Sequence, residues 1–277
     1  MTRWLALLMA PCLGLLACAT ASPTTEASAP VTRPALTYAI PEALLDAQLN
    51  AIVGGDAAAA VGAFGAQAVL SGPKVGQVAF DSGVRDEASG LFTELARQGF
   101  EPRRVHRVVG GKDLDTVRWS VDRFMALGVP WVVTTLMSRD AGWAIAAQTW
   151  DIAEPDEFFF TLAREGTLAS PPAIEDGGVA PPPALTAWVE MLSRNPTDLS
   201  VAPPLRGDTY NLGTAGEYAQ SDEAYLATMA QMREGLAAGH VRFERLPGQV
   251  VRLTPDGVAG VAVFQTAVTL SDEEGPV

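Results

Sequence analysis

The apolar residues of the first half of the chain recur at helical spacing in three places. The first helix is predicted to begin at Pro41 and to end at Gly54-Gly55, and its apolar face holds Leu44, Leu45, Leu49 and Ile52. Asp56 is placed to cap a second helix over 57–64. After a short strand and a glycine-rich loop at 69–83, a third helix has an apolar face formed by Leu91, Phe92 and Leu95.

After the third helix the apolar residues alternate with polar ones, as in half-buried strands. The alternation predicts four strands, over 101–109, 116–125, 129–139 and 143–151. Strand parity places Trp119 and Asp122 on opposite faces of the sheet, so one face packs and the other meets water or a cavity. The same parity places Trp143 and Trp150 on opposite faces. Helices followed by strands predict an α+β domain over 35–155.

The second half of the chain repeats part of this plan. A proline-rich segment over 156–183, which opens with a short helix carrying Phe158–Phe160, is predicted to link the first domain to a second over 184–277. The stretch 211–222 parallels 71–82, and strands are predicted near 241–246, 249–253 and 257–270. No counterpart of the last hairpin follows, so the second domain is expected to be a partial copy. Three explanations of the missing hairpin remain open. The sequence is truncated, a partner chain supplies the strands, or the second domain packs on the first.

The amino terminus has the pattern of an export signal. Arg3 precedes an apolar stretch over 5–16, which is shorter than the about 20 residues that a membrane-spanning helix needs. Leu15-Leu16-Ala17-Cys18 resembles the lipobox of bacterial lipoproteins, in which the chain is cut before the cysteine and the thiol is diacylated. We expect a signal peptide over 1–17 and a disordered tether over 18–34 that carries the lipid on Cys18.

The residue after the cysteine bears on where the protein is delivered. By resemblance to enterobacterial lipoproteins, Ala19 favours the outer membrane, with the protein facing the periplasm. The alternative is an ordinary secretory leader, cut after Ala19 or Ala21, in which Cys18 is incidental.

Three short motifs of residues 35–155 occur in the order of a known family. They are Gly55-Asp56, Asp140-Ala141-Gly142-Trp143 and Gln148-Thr149-Trp150-Asp151. This order resembles the SnoaL-like branch of the nuclear-transport-factor cone fold. The resemblance implies two cone-shaped α+β domains in tandem, the second without its C-terminal hairpin, and a pocket between sheet and helices. Enzymes of the family, such as polyketide cyclases and ketosteroid isomerases, use an aspartate or a histidine in that pocket as a proton shuttle.

Composition and charge exclude several classes of function. The chain has 19 Lys and Arg against 32 Asp and Glu, a net charge of −13, which repels nucleic acids and anionic lipid surfaces. Its 2 cysteines, Cys12 and Cys18, precede the folded body, and it has 2 histidines. Disulfides, a cysteine nucleophile and a multi-histidine metal site are therefore excluded from the body, and we expect no cofactor and no metal.

One basic cluster falls in the first predicted strand. Strand parity places Arg104 on the face opposite to Arg103 and Arg107, so the three form no single stripe. This placement favours solvated strand charges over a phosphate-binding patch.

No motif is specific enough to assign a catalytic residue. The candidates for a pocket in the first domain are Asp81, His106, Arg118, Trp119, Asp122 and Trp143, with Asp151 as a further carboxyl. For each of them, surface charge or core packing is the commoner role. A carboxyl buried in an apolar pocket would nevertheless have a raised pKa and suit acid–base work.

We expect a lipid-anchored cell-envelope protein, non-catalytic, that binds a small apolar ligand or a protein partner through its cone domains. An isomerase, cyclase or dehydratase with an Asp or His base in the first domain is the alternative, and scaffolding through the open edge of the second domain is a third hypothesis. The expected partners are the membrane, through the lipid on Cys18, a small apolar ligand, and a homodimer or another chain that completes the second domain.

Overall fold

The structure is a computed structural model that describes most of the first half of the chain and parts of the second. Side chains are described for residues 38–73, 78–111, 114–152, 173–180, 246–257 and 259–263. The backbone alone is described for 5–7, 211–212, 218–219, 241–245, 264–272 and 275–276. Cys18, the tether and the predicted helix with Phe158–Phe160 lie outside the described residues.

The described elements comprise three helices and a series of strands. The helices are α1 (Pro41–Val53), α2 (Ala57–Val61) and α3 (Gly83–Arg97). The strands are β1 (Leu5–Leu7), β2 (Phe64–Ser71), β3 (Val78–Phe80), β4 (Arg103–Gly110), β5 (Val117–Ala126), β6 (Val129–Arg139), β7 (Trp143–Ile152), β8 (Gly177–Gly178), β9 (Asn211–Leu212), β10 (Tyr218–Ala219), β11 (Val241–Leu253), β12 (Gly260–Asp272) and β13 (Gly275–Pro276). Among the described residues, no helix is both long and apolar enough to span a membrane.

The first domain is a six-stranded sheet with three helices packed on one face. The strand order is β3-β2-β7-β6-β5-β4, and every neighbouring pair is antiparallel except β2 with β7. The predicted α+β class is confirmed, and the predicted cone fits this helix-covered sheet. The second half of the fold prediction, a cone missing a hairpin, stays a prediction because its predicted helices lie outside the described residues.

Local sequence signals account for the helix boundaries. Pro41 begins α1, where its missing N–H costs nothing, and Gly54 follows its last residue. The Asp56 carboxylate accepts a hydrogen bond from the Ala59 N–H at 2.9 Å, which confirms the predicted cap of α2. α2 is shorter than predicted, because Phe64 already belongs to β2.

An aromatic cluster fills the core between the helices and the sheet. Trp150 is 1% exposed, and four aromatic rings lie with their centroids 5.7–6.2 Å from its own, those of Phe92, Phe100, Phe124 and Trp131. Such tilted and edge-on contacts add to the stabilisation from apolar burial. The core therefore ties α3 to the inner faces of β5, β6 and β7.

Two β-bulges change which side chains face this core. The register between β6 and β7 shifts at Leu136/Met137, which leaves Ala146 as an extra residue in β7. Trp143 and Trp150 both belong to the main core as a result, so the prediction that they lie on opposite faces is wrong. A second bulge, between Arg104 and His106, lies in the pairing of β4 with β5.

The second half of the chain contributes a long hairpin, β11 with β12. The predicted strands 241–246 and 249–253 form the single strand β11, with a register shift between Arg245 and Gln249. The predicted turn at Asp256-Gly257 connects β11 to β12. β8, which lies in the predicted linker, pairs in parallel with β11, and β1, in the predicted signal peptide, pairs with β12.

Polar contacts join this hairpin to the first domain. Arg252 donates to both carboxylate oxygens of Asp81, at 3.2 Å through Nε and 2.7 Å through Nη2, and its guanidinium lies over the Phe80 ring. Thr116 donates a hydrogen bond to Asp256. The hairpin therefore packs on the first domain at the β3 end of the sheet and at the start of β5.

We predict opposite effects for two glycine-to-alanine substitutions. A Cβ on Gly110 would lie 2.1 Å from the Trp119 ring, so Gly110→Ala should lower the free energy of unfolding by about 1–3 kcal/mol. Gly90 lies inside α3 with no atom near its added Cβ, so Gly90→Ala should raise that free energy by about 0.5–1 kcal/mol. Urea unfolding followed by circular dichroism measures both, and equal effects of the two substitutions would contradict the packing described.

Candidate functional site

A small cavity lies between α1 and the inner face of the sheet. Its volume is about 20 Å³, enough for about one water molecule. The apolar part of its wall is formed by Leu45, Leu49, Phe124, Val133 and Trp150. The polar part is formed by Gln48, Arg107, Asp122, Thr135 and Gln148. A mixed wall of this kind is typical of a small-molecule site, although the enclosed space is much smaller than such sites usually are.

A buried amide network forms one side of the cavity. The side-chain amides of Gln48 on α1 and Gln148 on β7 donate to each other, at 3.2 and 2.8 Å. Gln148 also donates to the Thr135 hydroxyl at 3.2 Å, and the Trp150 indole donates to the Gln148 carbonyl at 2.8 Å. Since buried polar groups are costly when unpaired, this network holds α1 against β7 at a fixed position.

An ion cluster forms the other side. Asp122 on β5 is 3% exposed, and its Oδ1 lies 2.5 Å from Arg107 Nε and 3.3 Å from Arg104 Nε. Asp46 on α1 contacts the outer sides of the same two guanidinium groups, at 2.7 Å from Arg104 Nη2 and 2.8 Å from Arg107 Nη1. We call Asp46, Arg104, Arg107 and Asp122 the ion cluster.

The bulge in β4 is what brings the two arginines together. Arg104 pairs in register with Phe124 and Arg107 with Asp122, so Val105 is the extra residue and both arginines lie on the inner face. The expectation that Arg104 and Arg107 point to opposite faces as solvated charges is therefore wrong. Val105 itself is 59% exposed, as an extra residue without a cross-strand partner can be.

Burial and ion pairing shift the pKa values of the groups in the ion cluster in opposite directions. Burial raises the pKa of Asp122, and the hydrogen bond and charge of Arg107 only partly offset it. For Asp46 burial also raises the pKa, but the hydrogen bonds from Arg104 and Arg107 outweigh burial and lower it. Burial lowers the pKa of Arg107, and its contacts with Asp122 and Asp46 outweigh that effect and raise it. Arg107 thus remains a cationic partner for both carboxylates.

This arrangement suits binding better than proton transfer. A base must present a free lone pair to its substrate, whereas Asp122 is contacted by two guanidinium groups. No group of three or more His, Cys, Asp or Glu side chains that could hold a metal ion occurs among the described residues.

Of the six pocket candidates, only Asp122 lines the cavity. Asp81 is held by Arg252, which lowers the pKa of its carboxyl through their hydrogen bond. His106 is exposed and pairs in register with Arg123 rather than with a cavity residue. Neither side chain reaches the inner face of the sheet beside Asp122.

The other three candidates are structural. The Arg118 guanidinium donates to the backbone carbonyls of Gly111, at 2.5 Å, and of Val117, at 2.8 Å, and it lies over the Trp143 ring. Trp143 is buried in the main core. Trp119 packs with Val121 and Val132 on the opposite face of the sheet.

Sequence reasoning missed most of the residues that form the site. Gln48 falls four residues after Leu44 and four before Ile52, so it occupies the apolar face of α1. A polar residue inside such a face is a signal for a buried hydrogen-bond network. Asp46 and Thr135 carry no comparable signal, because only the folded sheet brings them near β4 and β7.

Asp151 is a half-buried residue on the other face of the sheet. It pairs in register with Val132, which belongs to the cluster with Trp119, so it points away from the cavity. Its Oδ1 is enclosed and has no hydrogen-bond partner among the residues that the structure describes. Burial raises the pKa of Asp151 to about 8.

Comparison with known proteins finds similarity only among solved structures. No protein-family model matches the chain, and no curated protein matches it in sequence. A ketosteroid isomerase-like protein from Erwinia carotovora atroseptica is 17% identical, with a TM-score of 0.32, over 41% of this chain and 94% of that one. An NTF-2 like protein of unknown function from Silicibacter pomeroyi is 19% identical, with a TM-score of 0.31, over 40% of this chain and 91% of that one.

A third similar structure is also of unknown function. It is an NTF2-like protein from Pseudomonas putida, 10% identical with a TM-score of 0.33, over 40% of this chain and 82% of that one.

Replacing Asp151 should remove a pH-dependent loss of stability. Its pKa is about 8 in the fold and about 3.9 in an unfolded chain, so the unfolded state alone ionises as the pH rises between these values. Folding stability therefore falls over this range, and Asp151→Asn should gain on the wild type by up to about 1.4 kcal/mol for each pH unit. Urea unfolding at pH 5 and pH 7 measures the gain.

The matched control is Asp115→Asn, which changes an exposed aspartate. Its stability should follow that of the wild type at both pH values. An Asp151→Asn variant that also follows the wild type would show that the carboxyl is ionised in the folded protein.

Proposed function

We propose that this protein is a lipid-anchored, non-catalytic protein of the cell envelope, and that the cone pocket of its first domain binds a small, largely apolar ligand. The observation that carries the proposal is the cavity, in which five apolar side chains face a few polar groups. Such walls orient a small molecule by hydrogen bonds while burying most of its surface.

The cavity is small and partly open to solvent. About 20 Å³ admits a water molecule, so a larger ligand extends out of the open side of the cavity or displaces α1. Gln48 and Asp46 are the described side chains of α1 that hold it there by polar contacts, through Gln148 and the two arginines. In the second form of the binding hypothesis, the first domain binds a protein partner, which moves α1 away from the sheet.

An isomerase, cyclase or dehydratase remains the alternative because Asp122 lies in the cavity beside Phe124 and Leu45. Burial raises its pKa, as acid–base catalysis at neutral pH requires. The paired guanidinium groups argue against it, since both contact Oδ1 of the carboxylate that would accept the proton, and Oδ2 accepts a hydrogen bond from Ser120 at 3.4 Å. His106, the other candidate base, lies outside the cavity lining.

Native mass spectrometry of the whole chain in mild detergent tests ligand binding. We expect the wild type to retain a small molecule. Leu49→Trp adds an indole to the cavity wall and should abolish retention, because the cavity has no room for both.

Val53→Trp is the matched control, since Val53 lies on the same helix and is 48% exposed. It should retain the molecule as the wild type does. Absence of any bound molecule from the wild type, or equal retention by Leu49→Trp, would contradict a ligand in this cavity.

The lipid anchor is proposed from the lipobox-like sequence that ends in Cys18. A thiol is the group that accepts the diacylglycerol, so Cys18→Ser should incorporate no alkyne-labelled fatty acid when produced in a bacterium that acylates lipoproteins. Cys12→Ser, the matched control in the apolar stretch, should be labelled like the wild type. Full labelling of Cys18→Ser would refute the anchor.

A further inference from the structure

The two arginines of the ion cluster form a slot for one more anionic oxygen. Arg104 and Arg107 each direct Nε toward Asp122 and a terminal nitrogen toward Asp46. A single atom, Asp46 Oδ1, accepts from both terminal nitrogens, at 2.7 and 2.8 Å. Charge-assisted contacts between guanidinium and carboxylate are among the strongest hydrogen bonds in proteins.

The two carboxylates of the ion cluster differ in how easily each can separate from the two arginines. Side-chain exposure is 4% for Asp122 and 14% for Arg107, but 37% for Arg104 and 48% for Asp46. Removing Asp122 from its partners would leave a buried charge unpaired, which is very costly. Asp46 can turn into water, and ion pairs at such exposure contribute little.

Charge and position then define what replaces Asp46. Two arginines and one aspartate leave a net charge of +1 when Asp46 turns away. Arg107 belongs both to the cluster and to the cavity wall, next to Leu45 and Leu49. A molecule whose apolar part enters the cavity therefore has its other end near the slot.

We propose that the slot between Arg104 and Arg107 binds the carboxylate of the ligand, and that Asp46 occupies the same slot when the ligand is absent. This inference rests on the proposed function, since it requires a ligand in the adjoining cavity. The ligand class is a small organic acid with an apolar body. Asp46 acts as an internal competitor, which lowers the apparent affinity by the fraction of molecules in which the slot is filled.

The test compares an acid with its neutral amide. Butanoate and butanamide are titrated at pH 7 into the whole, 15N-labelled chain in mild detergent, and binding is followed by NMR chemical shifts. Asp46→Ala empties the slot and should bind butanoate roughly tenfold more tightly than the wild type, while its affinity for butanamide stays the same. Glu42→Ala removes the same charge one turn earlier on α1, where it has no role in the cluster, and should leave both affinities unchanged.

A second variant tests the arginine side of the slot. Arg104→Gln should lose the preference for butanoate over butanamide, and Arg104 is exposed enough for the variant to fold. The inference is overturned if Asp46→Ala binds butanoate no more tightly than the wild type, or gains equally for both probes. In either case, a molecule retained by the wild type in native mass spectrometry would still support the proposed binding function. If the wild type also retains no molecule, both the carboxylate slot and the binding function are contradicted.

Discussion

The position of α1 depends on a buried carboxylate, Asp122, on the inner face of the sheet. A charge 3% exposed is tolerated only when it is paired, and β4 supplies Arg107 at 2.5 Å and Arg104 at 3.3 Å. On their outer sides the two arginines contact Asp46 of α1. One buried charge on β5 thereby specifies the pairing register of β4 and the place where α1 lies across the sheet.

The amide network on the other side of the cavity works in the same way. Gln48 and Gln148 each satisfy the other's buried groups, so Gln48 and Asp46, two residues apart on α1, both tie the helix to the sheet by polar contacts. Both attachments are polar, and a ligand that offers equivalent partners can replace them at little cost.

The sequence predicts the elements of the first domain better than the faces of its strands. Pro41, Asp56 and the alternation over 129–139 are local signals, and the structure contains α1, α2 and β6 at those places. Parity arguments fail after an extra residue, because a bulge reverses every later assignment along the strand. Val105 in β4 and Ala146 in β7 are such residues, and neither has a side chain that marks a bulge.

The site was accessible from the sequence only where a residue contradicts its local pattern. Gln48 does so, as a polar residue on the apolar face of α1, whereas Asp122 falls on the polar positions of an alternating strand. Arg104, Arg107 and Asp46 look like ordinary surface charges, because their roles depend on contacts between residues about 60 positions apart in the chain.

A double-mutant cycle between Asp122 and Arg107 tests the central claim most directly. The free energies of unfolding in urea are measured for the wild type, Asp122→Asn, Arg107→Gln and the double variant. If the buried pair fixes the site, each single variant leaves a partly buried charge without its shortest ion pair, and the double variant loses less stability than the two single losses combined, by more than about 1 kcal/mol. Losses that add to within about 0.5 kcal/mol would contradict the account.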